Sequence, residues 1–256
     1  MTTHPPQLLV HPDRATLAAA AGARLLLALQ QAQCRAGPAV RDAHLGLTGG
    51  SMGSAILAAA GASPLLTLVD WSRVHFWWGD ERYLPTGHPD RNETQNRVAL
   101  LDRLPGLDPA RVHSIPGPDG SADPQDAATR YAAELAAHAP HPALVPGFDI
   151  LLLGVGPDAH ICSLFPGRPE LAITHAPTAP VDDSPKPPTR RVTLTFPALA
   201  RARHTWLLVA GADKAAAVER SWDASVADQT PAGRVHGREE TLWLVDADAA
   251  ALLLIG

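Results

Sequence analysis

The sequence has 256 residues, of which 46% are hydrophobic, and a formal net charge of −5. This length fits one large α/β domain, and the absence of a basic tract argues against nucleic acid binding. No apolar run is long enough to span a membrane and no secretory signal pattern opens the chain, so we expect a cytoplasmic protein.

The first half of the chain alternates strand and helix patterns. An apolar start at residues 7–10 precedes an Ala/Leu-rich helix from residue 14 to about 35, with Asp13 as its N-cap and Gly37-Pro38 as its end. The hydrophobic pattern further predicts strands at 44–48, 73–78 and 112–115, and helices at 52–60, 94–104 and 124–138.

The second half continues the alternation after a proline-rich loop at 168–190. The pattern predicts strands at 150–153, 191–196, 204–210 and 241–245, a helix from Lys214 to about Trp222, and a closing helix at 247–254. No repeat or linker interrupts the order. We therefore expect one domain over residues 1–256, with a single doubly wound, Rossmann-like, mainly parallel sheet and helices on both faces.

The stretch from Gly154 to Gly167 is the first candidate for chemistry. It follows the apolar run 150–153, and ligands of open α/β sheets bind beyond the carboxyl ends of strands. His160 arrives there within a few residues, and we expect a helix to begin just after it and to offer unpaired N–H groups. A structural, hydrogen-bonded histidine would fit the same pattern.

Three other strand ends carry polar groups. Gly49, Gly50 and Ser51 form a glycine turn before a helix, but without the lysine of a P-loop; a tight turn with no ligand is the alternative. Asp80, Glu81 and Arg82 follow the strand at 73–78, and a solvated loop would explain them equally well. Lys214 begins a helix, where its charge opposes the helix dipole and suits an anion.

Lysine and cysteine usage adds two constraints. Among 21 basic residues only Lys186 and Lys214 are lysines, and a lysine in so arginine-rich a chain is a candidate for a role as a compact charge. Cys34 and Cys162 are the only cysteines, which excludes a disulfide framework and a thiolate metal cluster and fits a reducing compartment. The histidines lack metal-ligand spacing, so no metal is predicted.

Five motifs occur in an order that resembles the 6-phosphogluconolactonases, over about residues 8–254. They are Leu47-Thr48-Gly49-Gly50-Ser51, Trp78-Gly79-Asp80-Glu81-Arg82, Gly154-x-Gly-x-Asp158-x-His160-x-x-Ser163-Leu164-Phe165-Pro166-Gly167, Ser184-Pro185-Lys186-Pro187-Pro188 and Gly211-Ala212-Asp213-Lys214. The resemblance implies hydrolysis of 6-phospho-D-glucono-1,5-lactone in the oxidative pentose phosphate pathway, with no cofactor and a small sugar-phosphate lactone as the only partner. The oligomeric state stays open, with a monomer favoured.

The resemblance also implies roles for particular residues. His160 matches the proposed general base, with Asp158 as the group that would orient its ring. Arg82 and Lys214 match phosphate-binding positions, and Asp80 and the Gly49–Ser51 turn would line the pocket.

Two positions depart from the family pattern. The usual Asp-Gly-His is Asp158-Ala159-His160 here, and an alanine is strained wherever φ must be positive. Met52 follows Ser51 where the family commonly has Thr-Pro. Both departures leave the charged groups in place.

A lactone hydrolase needs a water, a base near neutral pKa and donors for the oxyanion, and histidine suits the base because its ordinary pKa is about 6.5. We expect backbone N–H groups of the His160 turn to stabilise the oxyanion.

Three alternatives to a lactone hydrolase stay open: aldose–ketose chemistry of the glucosamine-6-phosphate deaminase type, a cysteine hydrolase built on Cys162 and His160, and a non-catalytic sugar-phosphate-binding protein.

Overall fold

The computed structural model describes residues 5–35 and 41–253. In chain order, its strands and α-helices are β1 (Gln7–His11), α1 (Arg14–Cys34), β2 (Ala43–Leu47), α2 (Gly50–Ala62), β3 (Val74–Trp78), β4 (Asp80–Arg82), α3 (Asn92–Ala99), α4 (Pro124–Ala137), β5 (Ile150–Gly154), β6 (Thr178–Val181), β7 (Arg191–Leu194), α5 (Phe196–Leu199), β8 (His204–Val209), α6 (Ala215–Trp222), α7 (Pro231–Arg234) and β9 (Glu240–Asp246).

Six strands form a parallel sheet in the order β1-β9-β8-β5-β2-β3. The chain moves one way along the sheet from β1 to β2 and β3, and the other way through β5 and β8 to β9. Because such crossovers are right-handed, α1 and α2 cover one face while α4 and α6 cover the other. The predicted doubly wound sheet is therefore confirmed.

The sheet is buried on both faces, which explains why its strands read as apolar runs rather than as alternating patterns. Residues 150–153 of β5 are all at most 1% exposed. On one face α1 begins where the sequence predicts, with the carboxylate of Asp13 accepting the N–H of Thr16. No helix among residues 5–35 and 41–253 is long and apolar enough to cross a membrane.

A second sheet, antiparallel and three-stranded, has the order β4-β7-β6 and was not foreseen from the sequence. Only Gly79 separates β3 in the first sheet from β4 in the second. Its N–H donates to the Leu47 carbonyl at the end of β2, and its carbonyl accepts the N–H of Leu194 in β7. One glycine is thus hydrogen-bonded to both sheets.

Three predicted elements are wrong. No helix follows His160, because Cys162 has φ of 50°, which a right-handed helix cannot contain. The strand predicted at 112–115 is reduced to a single bridge between Val112 and Phe76. The closing helix is replaced by turns up to Leu253, held at their start by Asp246.

One further prediction needs adjustment, and parts of two others lie outside the described residues. The helix predicted at 94–104 is α3 followed by a separate 3₁₀ turn at Leu101–Arg103, because the chain leaves the helical region at Leu100. The predicted end of the first helix, Gly37-Pro38, lies outside the described residues, as does Leu254.

The crossing of α1 over α2 generates a stability prediction. A Cβ at Gly22 in α1 would lie 2.9 Å from the Ala60 nitrogen and 3.0 Å from the Ile56 carbonyl oxygen of α2. Gly22→Ala should therefore lower the free energy of unfolding by about 1–2 kcal/mol, although alanine is the better helix former by about 1 kcal/mol. Urea unfolding measures the change.

Gly61→Ala, in α2, is the matched control. Its Cβ would meet the tip of a side chain, Leu100 Cδ1 at 3.0 Å, rather than the backbone of a neighbouring helix. We expect no loss of stability there. A Gly22→Ala protein as stable as the wild type would contradict the close backbone approach.

Candidate active site

A cleft opens beyond the carboxyl ends of β2, β5 and β8, next to β4. It contains seven of the eight site residues predicted from the sequence, and its lining consists of Thr48, Gly49, Gly50, Ser51, Met52, Asp80, Arg82, Asn92, Gly154, Val155, Gly156, His160, Cys162, Arg191, Leu208, Ala210 and Lys214. The eighth, Asp158, is half-buried behind the His160 ring. Parallel strands bring these distant segments together because their carboxyl ends meet at one edge.

The imidazole of His160 is held by Asp158. Nδ1 of His160 lies 2.5 Å from Oδ1 of Asp158, and because the carboxylate only accepts, Nδ1 carries the proton. The neutral ring then has its lone pair on Nε2. A contact between residues two apart is possible because Ala159 between them adopts φ of 66°. The contact that the sequence left as a possibility is therefore present.

The ring of His160 is wedged between neighbours. A Cβ at Gly156 would lie 2.0 Å from His160 Nδ1 and 2.6 Å from Asp158 Oδ1, so only glycine leaves room for the pair. The Phe165 ring packs against the imidazole with a centroid distance of 4.4 Å. These contacts fix the direction of the ring as well as its tautomer.

Asp158 remains a carboxylate. Partial burial raises its pKa, but the hydrogen bond and electrostatic attraction from His160 and the positive charge of Lys186 lower it by more, so its pKa lies well below the usual range. Lys186 Nζ is 3.5 Å from Asp158 Oδ1. The sequence singled out Lys186 without a role, and the structure places it beside this pair.

Asp80 is almost fully buried and ties three segments together. Its Oδ2 accepts the Ser163 hydroxyl at 2.6 Å and lies 3.7 Å from Arg191 Nη1. Asn92 Nδ2 donates to the Asp80 carbonyl at 2.8 Å and to Oδ1 at 3.2 Å. Sequence reasoning missed Asn92 and Arg191, because neither stands at the carboxyl end of a predicted strand, and gave Ser163 only as part of a motif.

Glu81, next to Asp80, is hydrogen-bonded to the backbone of the same region. Its carboxylate oxygens accept the backbone N–H groups of Arg82, Asn92 and Glu93, each at 2.8 Å. Two of these N–H groups belong to the first turn of α3, which has no side-chain cap of its own. Burial raises the pKa of Glu81 to about 7, while the charge of Arg91 and the three N–H groups oppose that rise.

Two cations face the cleft without a buried counter-charge. Arg82 donates from Nη1 to the Asp90 carbonyl at 2.7 Å, and within residues 5–35 and 41–253 it has no carboxylate partner. Lys214 is at the N-cap of α6, with Nζ 3.6 Å from the exposed carboxylate of Asp213. Arg191, by contrast, is paired with Asp80. A local positive charge therefore exists in a chain that is negative overall.

The first turn of α2 borders the cleft near these cations. Gly49 is its N-cap, and Gly50 and Ser51 open the helix with exposed backbone. The first N–H groups of a helix have no intrahelical acceptor and attract anions. The glycine turn thus brings the N-terminus of α2 to the border of the cleft.

The His160 turn supplies fewer backbone donors than expected. The N–H groups of Gly156 and Ala159 donate to the carbonyls of His160 and Gly156, both at 2.9 Å. They hold the turn closed and are not available to an oxyanion. The helix expected at this point is absent, so its first-turn N–H groups are absent too.

Comparison with known proteins identifies the family. The profile described as glucosamine-6-phosphate isomerases/6-phosphogluconolactonase matches residues 12–243. A 6-phosphogluconolactonase of Streptomyces coelicolor is 49% identical over 97% of this chain and 95% of its own length. The chain belongs to the 6-phosphogluconolactonase family.

Other members agree with this assignment in sequence and in fold. A 6-phosphogluconolactonase of Mycobacterium bovis is 43% identical over 95% of this chain and 97% of its own length. The crystal structure of a 6-phosphogluconolactonase from Leishmania guyanensis superposes with a TM-score of 0.80 at 27% identity, over 96% of this chain and 98% of that one. The resemblance read from the five motifs is confirmed.

Ala159, between the two members of the Asp158–His160 pair, occupies a strained position. Ala159 has φ of 66° and is fully buried, and a left-handed conformation costs a non-glycine residue about 1–2 kcal/mol. The sequence predicted backbone strain at Ala159 if its φ were positive. Its φ is positive, so the strain is present. The Asp158–His160 contact nevertheless forms, so the substitution leaves the pair intact.

The Asp80 network leads to a second stability prediction. Ser163→Ala removes a hydroxyl donor from a buried carboxylate and should lower the free energy of unfolding by about 1–3 kcal/mol. Ser51→Ala is the control, since that side chain borders the same cleft but is exposed. Equal urea midpoints for the two variants would show that the Ser163 bond contributes nothing.

Proposed function

We propose that the chain hydrolyses 6-phospho-D-glucono-1,5-lactone to 6-phospho-D-gluconate, in the oxidative pentose phosphate pathway, with His160 as the general base. The observation that carries the proposal is the Asp158–His160 pair: an imidazole whose Nδ1 is hydrogen-bonded to a carboxylate and whose Nε2 carries a lone pair, in a cleft with two cations that lack a buried counter-charge. Relatives that carry this name at 43–49% identity support the same substrate.

In the proposed reaction, Nε2 of His160 takes a proton from water as the water oxygen attacks the lactone carbonyl carbon. The resulting tetrahedral intermediate collapses when the bond from that carbon to the ring oxygen breaks. The proton on Nε2 then passes to the departing ring oxygen, which becomes the free hydroxyl of the product. Asp158 stabilises the imidazolium between the two transfers without taking its proton.

The phosphate is proposed to bind at the opposite part of the cleft. Lys214 and Arg82 supply charge, and the first turn of α2 at Gly50 and Ser51 supplies N–H donors. Binding energy from a group remote from the reacting carbon positions the carbonyl near His160. A phosphorylated lactone is thereby favoured over its unphosphorylated analogue.

Two alternatives have specific evidence against them. A cysteine hydrolase needs a thiolate, but burial, with the nearby charge of Asp80, raises the pKa of the Cys162 thiol well above its usual value. A non-catalytic binding protein was suggested by Ala159, yet the Asp158–His160 contact is formed despite the strain. The deaminase alternative shares the family profile, so an assay with glucosamine 6-phosphate distinguishes it.

We further propose that the chain works as one domain, in the cytoplasm and without a cofactor. A single cluster of buried side chains runs from Leu17 in α1 to Ala250 after β9. Both cysteines are free thiols, as a reducing compartment allows.

The proposal is tested on freshly prepared 6-phosphogluconolactone, with the spontaneous rate subtracted. The wild type should hydrolyse it, and His160→Ala should lower kcat by about 10²–10⁴-fold because a general base typically contributes that factor. KM should change much less, since the phosphate contacts lie elsewhere in the cleft. Folded His160→Ala with near wild-type kcat would refute the mechanism.

Two further variants sharpen this test. Gly156→Ala keeps the imidazole but displaces it, and a misplacement of about 1 Å costs on the order of 100-fold in kcat. Cys162→Ala keeps His160 in place and should retain most of the activity. If Cys162→Ala were the variant that lost activity, the cysteine hydrolase would replace the present proposal.

The phosphate assignment has its own prediction. Lys214→Ala should raise KM for the phosphorylated lactone by about 10–100-fold, the range expected for one charged hydrogen bond, with a smaller effect on kcat. Arg130→Ala, an exposed arginine on α4, is the control and should leave KM unchanged. Unphosphorylated gluconolactone should be a much poorer substrate; equal kcat/KM for the two lactones would exclude this phosphate site.

A further inference from the structure

Three histidines meet at the other end of the parallel sheet from the cleft. His75 is near the start of β3, His113 follows a 3₁₀ turn beside it, and His138 is the C-cap of α4. One ligating nitrogen from each lies within 4.8 Å of the other two. His75 and His113 are buried, while His138 borders solvent.

Hydrogen bonds hold two of these rings with a free nitrogen. His113 Nδ1 lies 2.7 Å from the Glu134 carboxylate, and His138 Nδ1 lies 3.0 Å from the Glu134 carbonyl oxygen. Both partners only accept, so each Nδ1 carries the proton and each Nε2 carries a lone pair. Metal-binding histidines are held in this way, with the second nitrogen donating to a carboxylate or a carbonyl.

His75 completes the group from the other side. Its Nδ1 lies 2.7 Å from His113 Nε2, with the two ring planes within 6° of each other. Arg111 Nη1, which only donates, lies 2.6 Å from His75 Nε2, so the His75 proton is on Nδ1 and points at His113. A proton thus occupies the place between two nitrogens where a cation would bind.

The fourth nearby histidine is a packing neighbour. His44 stacks on His75 at a centroid distance of 4.7 Å, and its Nδ1 accepts the indole N–H of Trp77.

We propose that His75 Nδ1, His113 Nε2 and His138 Nε2 bind one divalent transition metal ion, with zinc as the best match to three imidazoles. Tetrahedral zinc with bonds of 2.0–2.1 Å separates its ligands by about 3.4 Å, so His75 and His113 move slightly apart and His138 turns inward. The His138 side chain is 30% exposed, so we expect the ring to turn on its solvent side while Nδ1 stays on the Glu134 carbonyl oxygen.

Metal binding at this site requires one proton to change places on the His75 ring. When the metal binds, the proton of His75 leaves Nδ1 and a proton is taken up on Nε2, with no net release. Arg111 Nη1, which donates to that Nε2 at 2.6 Å before the metal binds, moves off Nε2 and keeps its contact to Asp42 Oδ2. The same Asp42 Oδ2, 3.6 Å from Nε2, accepts the new donor. Each ligand would then have an acceptor behind it. A water from the open hollow beside Asp42 and Asp108 takes the fourth position.

The test uses the full-length protein freed of metal with a chelator. Zn²⁺ competition against a chromophoric chelator should give one ion per chain with a Kd below about 1 µM, and Co²⁺ should give the visible absorption of a tetrahedral site. At 100 times Kd, zinc should raise Tm by roughly 5–10 °C.

Matched variants decide whether these three residues are the ligands. His138→Ala removes a half-buried ligand at a helix end and should weaken zinc binding at least about 100-fold; Glu134→Gln keeps all three ligands and should weaken it about 10–100-fold. His175→Ala removes an exposed histidine elsewhere and should change nothing. No saturable binding by the wild type, or binding unaffected by both His138→Ala and Glu134→Gln, overturns the proposal.

Discussion

The buried carboxylate of Asp80 is the constraint on which the cleft depends. A buried charge is tolerated only when it is paired and hydrogen-bonded, and Asp80 finds its partners on three other segments: Ser163 in the histidine turn, Asn92 at the start of α3 and Arg191 in β7. These segments must therefore meet before the charge is satisfied. His160 lies three residues from Ser163, so the position of the imidazole follows from the same condition.

The elements predicted correctly are those with local causes. Buried strands of the parallel sheet appear as apolar runs, and α1 begins at an aspartate that caps it, so both are visible within a few residues of sequence. The failures have tertiary causes. The left-handed conformation of Cys162 excludes the helix expected after His160, and the pairing of β4 with β7 has no local signature.

The residues of the candidate site also fall into two groups, those with a local signal in the sequence and those without one. The residues at strand ends were predicted to share a cleft because parallel strands deliver their carboxyl ends to one edge, and the structure brings them together. Asn92 and Arg191 act through side-chain contacts across the fold, and one arginine among nineteen carries no signal of its own. The three-histidine group was not predicted for a similar reason: its members come from three separate segments and match no spacing rule for metal ligands. The chemical roles of the cleft residues remain predictions.

The hydrogen bonds of Gly79 affect how the molecule unfolds. Its N–H belongs to the hydrogen bonding of the parallel sheet and its carbonyl to that of the antiparallel sheet, so neither sheet ends before the other begins. A Cβ at this position would also lie 2.7 Å from the sulfur of Cys162, which places the histidine turn against the same residue. Partial opening of either sheet breaks bonds shared with the other, so both sheets and the turn form one cooperative unit of unfolding.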